Sequence, residues 1–116
     1  GNVKTIRTKE EAWEYSKGKK NQELDDWIEL ELYNKGDKKS IEKRQHIRHC
    51  LIDIISEAFD IQSGGDFSRA VLSNSFSDAT ILADGTNRLV LDLYARFVLN
   101  YLPMGIIKKW IEKKLK

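Results

Sequence analysis

The segment Thr86–Tyr101 limits the fold more than any other stretch of the chain. It holds Leu89, Val90, Leu91, Leu93, Tyr94, Phe97, Val98, Leu99 and Tyr101, so apolar side chains surround a helix almost completely. Its polar stripe is Arg88, Asp92, Arg96 and Asn100, spaced four apart. A helix with so little polar surface needs neighbours on most sides, which predicts a place in the middle of a bundle. The stripe reads either as an ion ladder inside the fold or as a dimer seam.

The remaining elements follow the helical period. Thr8-Lys9-Glu10-Glu11 is a capping box, and the helix it opens runs to Lys17 and stops at Gly18. Leu24, Trp27, Ile28 and Leu32 fit a second helix, with Asp25 and Asp26 near its positive end. Ile28, Leu30 and Leu32 also alternate, so residues 24–33 admit helix or strand. Asn34-Lys35-Gly36-Asp37 reads as a turn. From Ser40 to Ile61, residues Ile41, Ile47, Leu51, Ile52, Ile54, Ile55, Ala58 and Phe59 share one arc of a long helix. Gly64-Gly65 breaks it, a helical turn follows around Phe67, Ala70 and Val71, and Ser77 or Asp78 can cap another. Asp84-Gly85 marks a turn before the apolar helix. After Pro103, Ile106, Ile107, Trp110, Ile111 and Leu115 oppose Lys108, Lys109, Glu112, Lys113 and Lys116 in a last helix, whose Trp110-Ile111 face should dock on the core. Val3-Lys4-Thr5-Ile6-Arg7 alternates weakly, as a short strand would. The fold class expected is all-α, a compact bundle of four to six helices with room for a short N-terminal strand.

At 116 residues the chain suits one domain, residues 1–116. Hydrophobic residues make up 41%, which excludes a disordered tail, and the single Pro argues against a linker or a turn-rich β-sandwich. A lone Cys excludes an internal disulfide and reads as a reducing, cytoplasmic compartment. No apolar run approaches the roughly 18 residues that cross a bilayer, so no membrane role is expected. A start at Gly1-Asn2 without Met reads as a processed or excised chain.

The formal charge of +2 conceals a pattern. Residues 1–48 carry 12 positive and 10 negative charges, residues 49–100 carry 3 and 7, and residues 101–116 carry 5 and 1. Lys35, Lys38, Lys39, Lys43, Arg44 and Arg48 cluster at the start of the long helix. Arg44 and Arg48 project into its apolar arc, where an unpaired charge is costly. Two explanations compete. A phosphate backbone would reward Lys38, Lys39, Lys43, Arg44 and Arg48 through counterion release. Alternatively these residues pair with the acidic second segment, Asp25, Asp26, Glu29 and Glu31.

Other chemistry is thin. His46, His49, Cys50, Asp53 and Glu57 share a polar helical stripe, but no second His or Cys cluster completes a tetrahedral site. No metal is therefore expected, and the lone Cys50 falls on a polar face. There is no phosphate-cradling glycine loop and no elbow serine, so no cofactor is expected.

The stretch Leu72-Ser73-Asn74-Ser75-Phe76-Ser77-Asp78-Ala79-Thr80, with the helix after it, resembles the HEPN superfamily of all-α domains over residues 72–101. One subgroup reads Arg-Asn-x-x-Ser-Asp-Ala-His, and Asn74, Ser77, Asp78 and Ala79 match it. The resemblance implies metal-independent RNA cleavage by an Arg and a His. Ser73 and Thr80 stand in those two positions and supply neither a fixed charge nor a group titrating near neutrality. A second Arg-x4-His string, Arg44 to His49, offers an alternative nuclease pair, with His46 as a further base. On a regular helix, residues five apart point about 140° from each other. The expectation is a non-catalytic interaction module binding RNA or another phosphate-rich partner through its basic helix, with an apolar seam available for a homodimer. The rivals are an endoribonuclease using Arg44 and His49, and an adaptor for an acidic protein surface.

Overall fold

The computed structural model describes residues 2–36, 41–73, 79, 83–85, 87 and 90–114. Six helices lie among them: α1 (Lys9–Ser16), α2 (Asn21–Asn34), α3 (Ile41–Ala58), α4 (Gly65–Leu72), α5 (Leu91–Tyr101) and α6 (Met104–Lys114). The all-α bundle expected from the sequence is the fold observed, and no strand occurs among the described residues.

Local signals account for most helix ends. Thr8 caps α1 through both halves of a capping box: its hydroxyl accepts from Glu11 N–H, and Glu11 accepts from Thr8 N–H, each at 3.1 Å. Gly18 follows α1 at φ +81°, a left-handed turn that suits glycine. Residues 24–33 are helical. Leu24, Ile28 and Leu32 are buried at steps of four, while Leu30, which a strand would have shared with Ile28 and Leu32, is exposed.

The hub is α3, which packs against α1, α2, α4 and α6. Ile47, Leu51, Ile54 and Ile55 are fully buried, and Ala58 and Phe59 join the same core. The helix ends at Ala58, three residues before the expected limit, because Asp60 turns left-handed at φ +59°. Ser40, its expected start, lies outside the described residues. Trp27 packs edge-on against Phe97 and Tyr101, joining α2 to α5, and Phe67 meets Tyr94 in the same way to join α4 to α5.

Three expectations need correction. The N-terminal segment is an extended arm, not a strand. Val3 and Ile6 are buried, and Ile6 N–H donates to the Tyr101 carbonyl at 2.9 Å. With that single bond to a helix end, no sheet ladder forms. The apolar helix is assigned from Leu91, not Thr86, and Thr86, Arg88 and Leu89 lie outside the described residues. It is also open on one side. Leu93, Tyr94 and Phe97 are buried, but Leu99 is 74% exposed.

Helix α6 docks by Trp110, while Ile111, expected on the same face, is exposed, and the anchor is a buried carboxylate. Glu57 of α3 is 1% exposed. Its oxygens accept from Trp110 Nε1 and from Gly64 N–H, each at 2.8 Å, and Arg69 Nε and Lys114 Nζ lie 3.6 and 4.0 Å away. Burial alone would raise its pKa. The two hydrogen bonds and the two cations reverse that and hold it below the ordinary value. Gly64 serves the same junction by letting α4 approach α3 closely. A Cβ there would stand 2.5 Å from the Asp53 carbonyl oxygen.

Both residues can be tested by urea denaturation. Glu57→Gln should cost about 1–3 kcal/mol at neutral pH. Because the folded-state pKa is depressed, this contribution is present above the ordinary carboxylate value and is lost as pH falls through the lower folded value. The gap between wild type and variant should therefore narrow in acid. Gly64→Ala should cost about 1–3 kcal/mol through the backbone clash, with little dependence on pH.

Candidate interaction surfaces

The basic helix and the acidic helix meet in a seam between α2 and α3. Arg48 Nη1 donates to both oxygens of Asp25, at 2.9 and 2.8 Å. Arg44 donates through Nη1 to Glu29, and its Nε lies 3.8 Å from Asp25. Asp25 is buried, whereas the two arginine side chains keep about a quarter of their surface in water. Both arginines lie at the edge of the apolar arc, as projected, and both pair with the acidic segment. Each guanidinium lays its stem on the core edge and carries its charge to a carboxylate on α2.

Of the five expected phosphate ligands, Lys38 and Lys39 lie outside the described residues, and Lys43 is half-buried on α3. Arg44 and His49, the alternative nuclease pair, lie on one uninterrupted helix. Arg44 turns to α2 and His49 is exposed, so the structure does not bring them together. In the HEPN-like string, Asn74, Ser77, Asp78 and Thr80 lie outside the described residues. Ser73 ends α4 with its hydroxyl donating to the Ala70 carbonyl, and Ala79 is buried.

The stripe from His46 to Glu57 separates into different environments. His46 Nε2 is 2.7 Å from Asp84 and 3.9 Å from Cys50 Sγ. Asn87 donates to Cys50 Sγ at 3.3 Å and accepts from the Tyr94 hydroxyl, while Asp84 accepts from Asn87 N–H at 2.8 Å. Glu57 belongs to the α6 anchor. No metal-binding cluster of His, Cys, Asp or Glu occurs among the described residues. Cys50 is not on a free polar face, as its sequence position predicts, but half-buried against the core. The physical reason is that Asn87 and Tyr94 lie against that side of α3.

The chemistry of this cluster is quiet. Burial pushes the Cys50 thiol up, against the lowering influence of its hydrogen-bond partners Asn87 and Tyr94. Burial likewise raises the Tyr94 hydroxyl far above its ordinary value. A thiol held protonated near neutrality is a poor nucleophile. The histidine nitrogen facing Cys50 is the same one that meets Asp84, so it is not set to take the thiol proton.

Part of the polar stripe of α5 pairs with its neighbours at the surface. Arg96 Nε donates to Glu31 at 2.8 Å and its Nη1 pairs with Asp92 at 3.0 Å, while Lys35 Nζ reaches Asp92 at 2.9 Å. Of its two readings, the ion ladder within the fold is realised for Asp92 and Arg96, and Arg88 lies outside the described residues.

A surface that sequence reasoning missed lies on the other side of α5. A trough of about 450 Å³ runs between α5 and α6 and reaches α4. Ala70, Ala95 and Val98 are among its lining residues, and Leu99, Met104 and Ile111 stand at its edge. Leu99 and Met104 are 74% and 73% exposed, and every described lining residue is uncharged and apolar. The signal was present in the sequence. An α5 apolar on nearly all sides has more apolar surface than the described helices cover. Among the described residues, no helix is long and apolar enough to cross a membrane.

No protein-family model, curated protein or solved structure matches the chain.

The α2–α3 seam gives a direct test. Asp25→Ala removes the shared partner of two partly buried guanidinium groups and should cost about 2–3 kcal/mol in urea unfolding. Arg44→Glu with Arg48→Glu should destabilise the fold comparably, by setting like charges across the same seam. A melting curve must therefore precede any binding assay on that double variant.

Proposed function

We propose that this chain is a non-catalytic helical interaction module that contacts a partner protein through the apolar face of α5 and α6. The observation that carries this reading is a trough whose described lining bears no charge, edged by Leu99 and Met104, each about three-quarters exposed. An apolar concavity with protruding apolar side chains is the kind of patch that marks protein contact. The phosphate-binding alternative draws less support, because Arg44 and Arg48 already carry partners within the fold. Catalysis by Cys50 would need a thiolate and a base, whereas its thiol is pushed up and His46 pairs with Asp84.

The test compares wild type with Leu99→Glu and Met104→Glu, whose sites are exposed enough that the melting temperature should stay near that of wild type. Complexes recovered from the source cell after nuclease treatment should contain a protein held by wild type and lost by both variants. A buried, unpaired Glu should weaken the contact by about 2 kcal/mol or more. RNA retained with a steep salt dependence, and unchanged by Leu99→Glu, would overturn the reading in favour of the phosphate-binding one.

A further inference from the structure

We propose that α6 is a hinged strap, which undocks from the bundle as a unit and so governs how much of the apolar face of α5 lies open. This goes beyond the interaction reading and does not depend on what binds that face.

The first observation is how little of α6 the fold holds. Of its eleven residues only Trp110 is buried, Ile106 and Ile107 are half-buried, and the other eight are exposed. The shorter α1 and α4 bury two and three residues of eight, and α3 buries a side that runs from Ile47 to Ala58. Apolar area removed from water is what opposes the conformational entropy of an element, so the element with least of it opens first. An isolated helix of eleven residues is marginal in water, so α6 loses its helix when it loses its dock.

The second observation is where the attachments lie. At one end, Leu102 joins α5 to α6 in extended backbone, and Pro103 follows without an N–H to continue the α5 ladder. The body of the fold is held up to that point, since Leu102 is buried and the Tyr101 carbonyl accepts from Ile6. At the other end, side chains of α6 converge on two carboxylates at the end of α3. Trp110 Nε1 donates to Glu57 at 2.8 Å and Lys113 Nζ donates to Asp60 at 2.7 Å. Lys114 Nζ lies 4.0 and 3.6 Å from the same two residues. Between these ends, Met104, Ile107 and Ile111 form the α6 wall of the trough, and of the three only Ile107 packs on the core. A hinge, a latch and a hollow between them make a strap. Opening it removes that wall of the trough, leaves Val98 and Leu99 of α5 on an open surface, and frees Ile106, Ile107 and Trp110.

Native-state hydrogen exchange on the full chain, at low urea concentrations, reads this out. The α6 amides from Lys108 to Glu112 should exchange through one shared opening, about tenfold or more as frequent as the opening that exposes Ile47, Leu51, Ile54 and Ile55 of α3. Its urea dependence should be shallower, because it exposes less surface. Trp110→Phe keeps a ring but removes the donor to Glu57, and should raise the α6 opening about tenfold. Asp60→Asn suits the left-handed backbone at that position and should raise it about two- to fivefold. Ile47→Val, in the body of the fold, should raise the α3 opening about two- to tenfold and leave that of α6 as it was, since the undocked state keeps the packing of Ile47. Amides of α6 that exchange only with those of α3, at the same urea dependence, overturn the proposal. So does an Ile47→Val chain in which both openings rise together, or a Trp110→Phe chain in which α6 does not change. The loss of a partner in Leu99→Glu is a separate measurement, so either reading can fail alone.

Discussion

Everything in this fold hangs on α3, and the constraint on α3 is that it is surrounded. A helix packed against four others sends few polar side chains to water, and those turned toward a neighbour find a partner there. The partners are spread among its neighbours. Arg44 and Arg48 address α2 through Asp25 and Glu29, and Ser56 meets Ser16 of α1 at 2.6 Å. Cys50 accepts from Asn87, which accepts in turn from Tyr94 of α5, and Glu57 addresses α6 and the start of α4. Isoleucine and leucine supply the burial energy but pack acceptably in many arrangements. The polar contacts tolerate far fewer, because each mispairing leaves a buried group unsatisfied. Which helix lies against which side of α3 is thus set largely by a few polar atoms.

This division explains what could be read from the sequence. Periodicity and caps act within a few residues, so the capping box at Thr8, the stop at Gly18 and the arc of α3 were all legible. The competition between helix and strand at residues 24–33 was not settled by Ile28, Leu30 and Leu32 alone. It was settled by the core of α3, which takes residues four apart and leaves Leu30 outside. Glu57 shows the limit most clearly. On a helical wheel it is one more member of a polar stripe with His49 and Asp53, and only the arrival of Trp110, 53 residues later, makes it an anchor. Cys50 was misread for the same reason, since Asn87 and Tyr94 are remote in sequence and adjacent in space.

The candidate surfaces were legible in the opposite order from their visibility. Basic residues are conspicuous in a sequence, and their clustering near Arg44 drew attention to an anionic ligand. The acidic residues that engage those arginines lie in the preceding helix, so the clustering was in part an image of internal pairing. The apolar face of α5 and α6 is inconspicuous because leucine, alanine and methionine are what a core is made of. It becomes a surface only when the number of neighbouring helices proves insufficient to cover it. A helix that is too apolar for its surroundings is therefore a more informative signal here than a run of lysines.

The bond from Ile6 to the Tyr101 carbonyl ties the first described segment to the end of α5. Its two partners are 95 positions apart, so the loop it closes comprises most of the chain. During synthesis from the N-terminus, the arm carrying Val3 and Ile6 must wait without its partner until α5 has left the ribosome. Helices α1 to α3 can assemble before that point, since their contacts span shorter distances. Closing that loop therefore follows the assembly of α1 to α3 and joins an early segment of the chain to a late one.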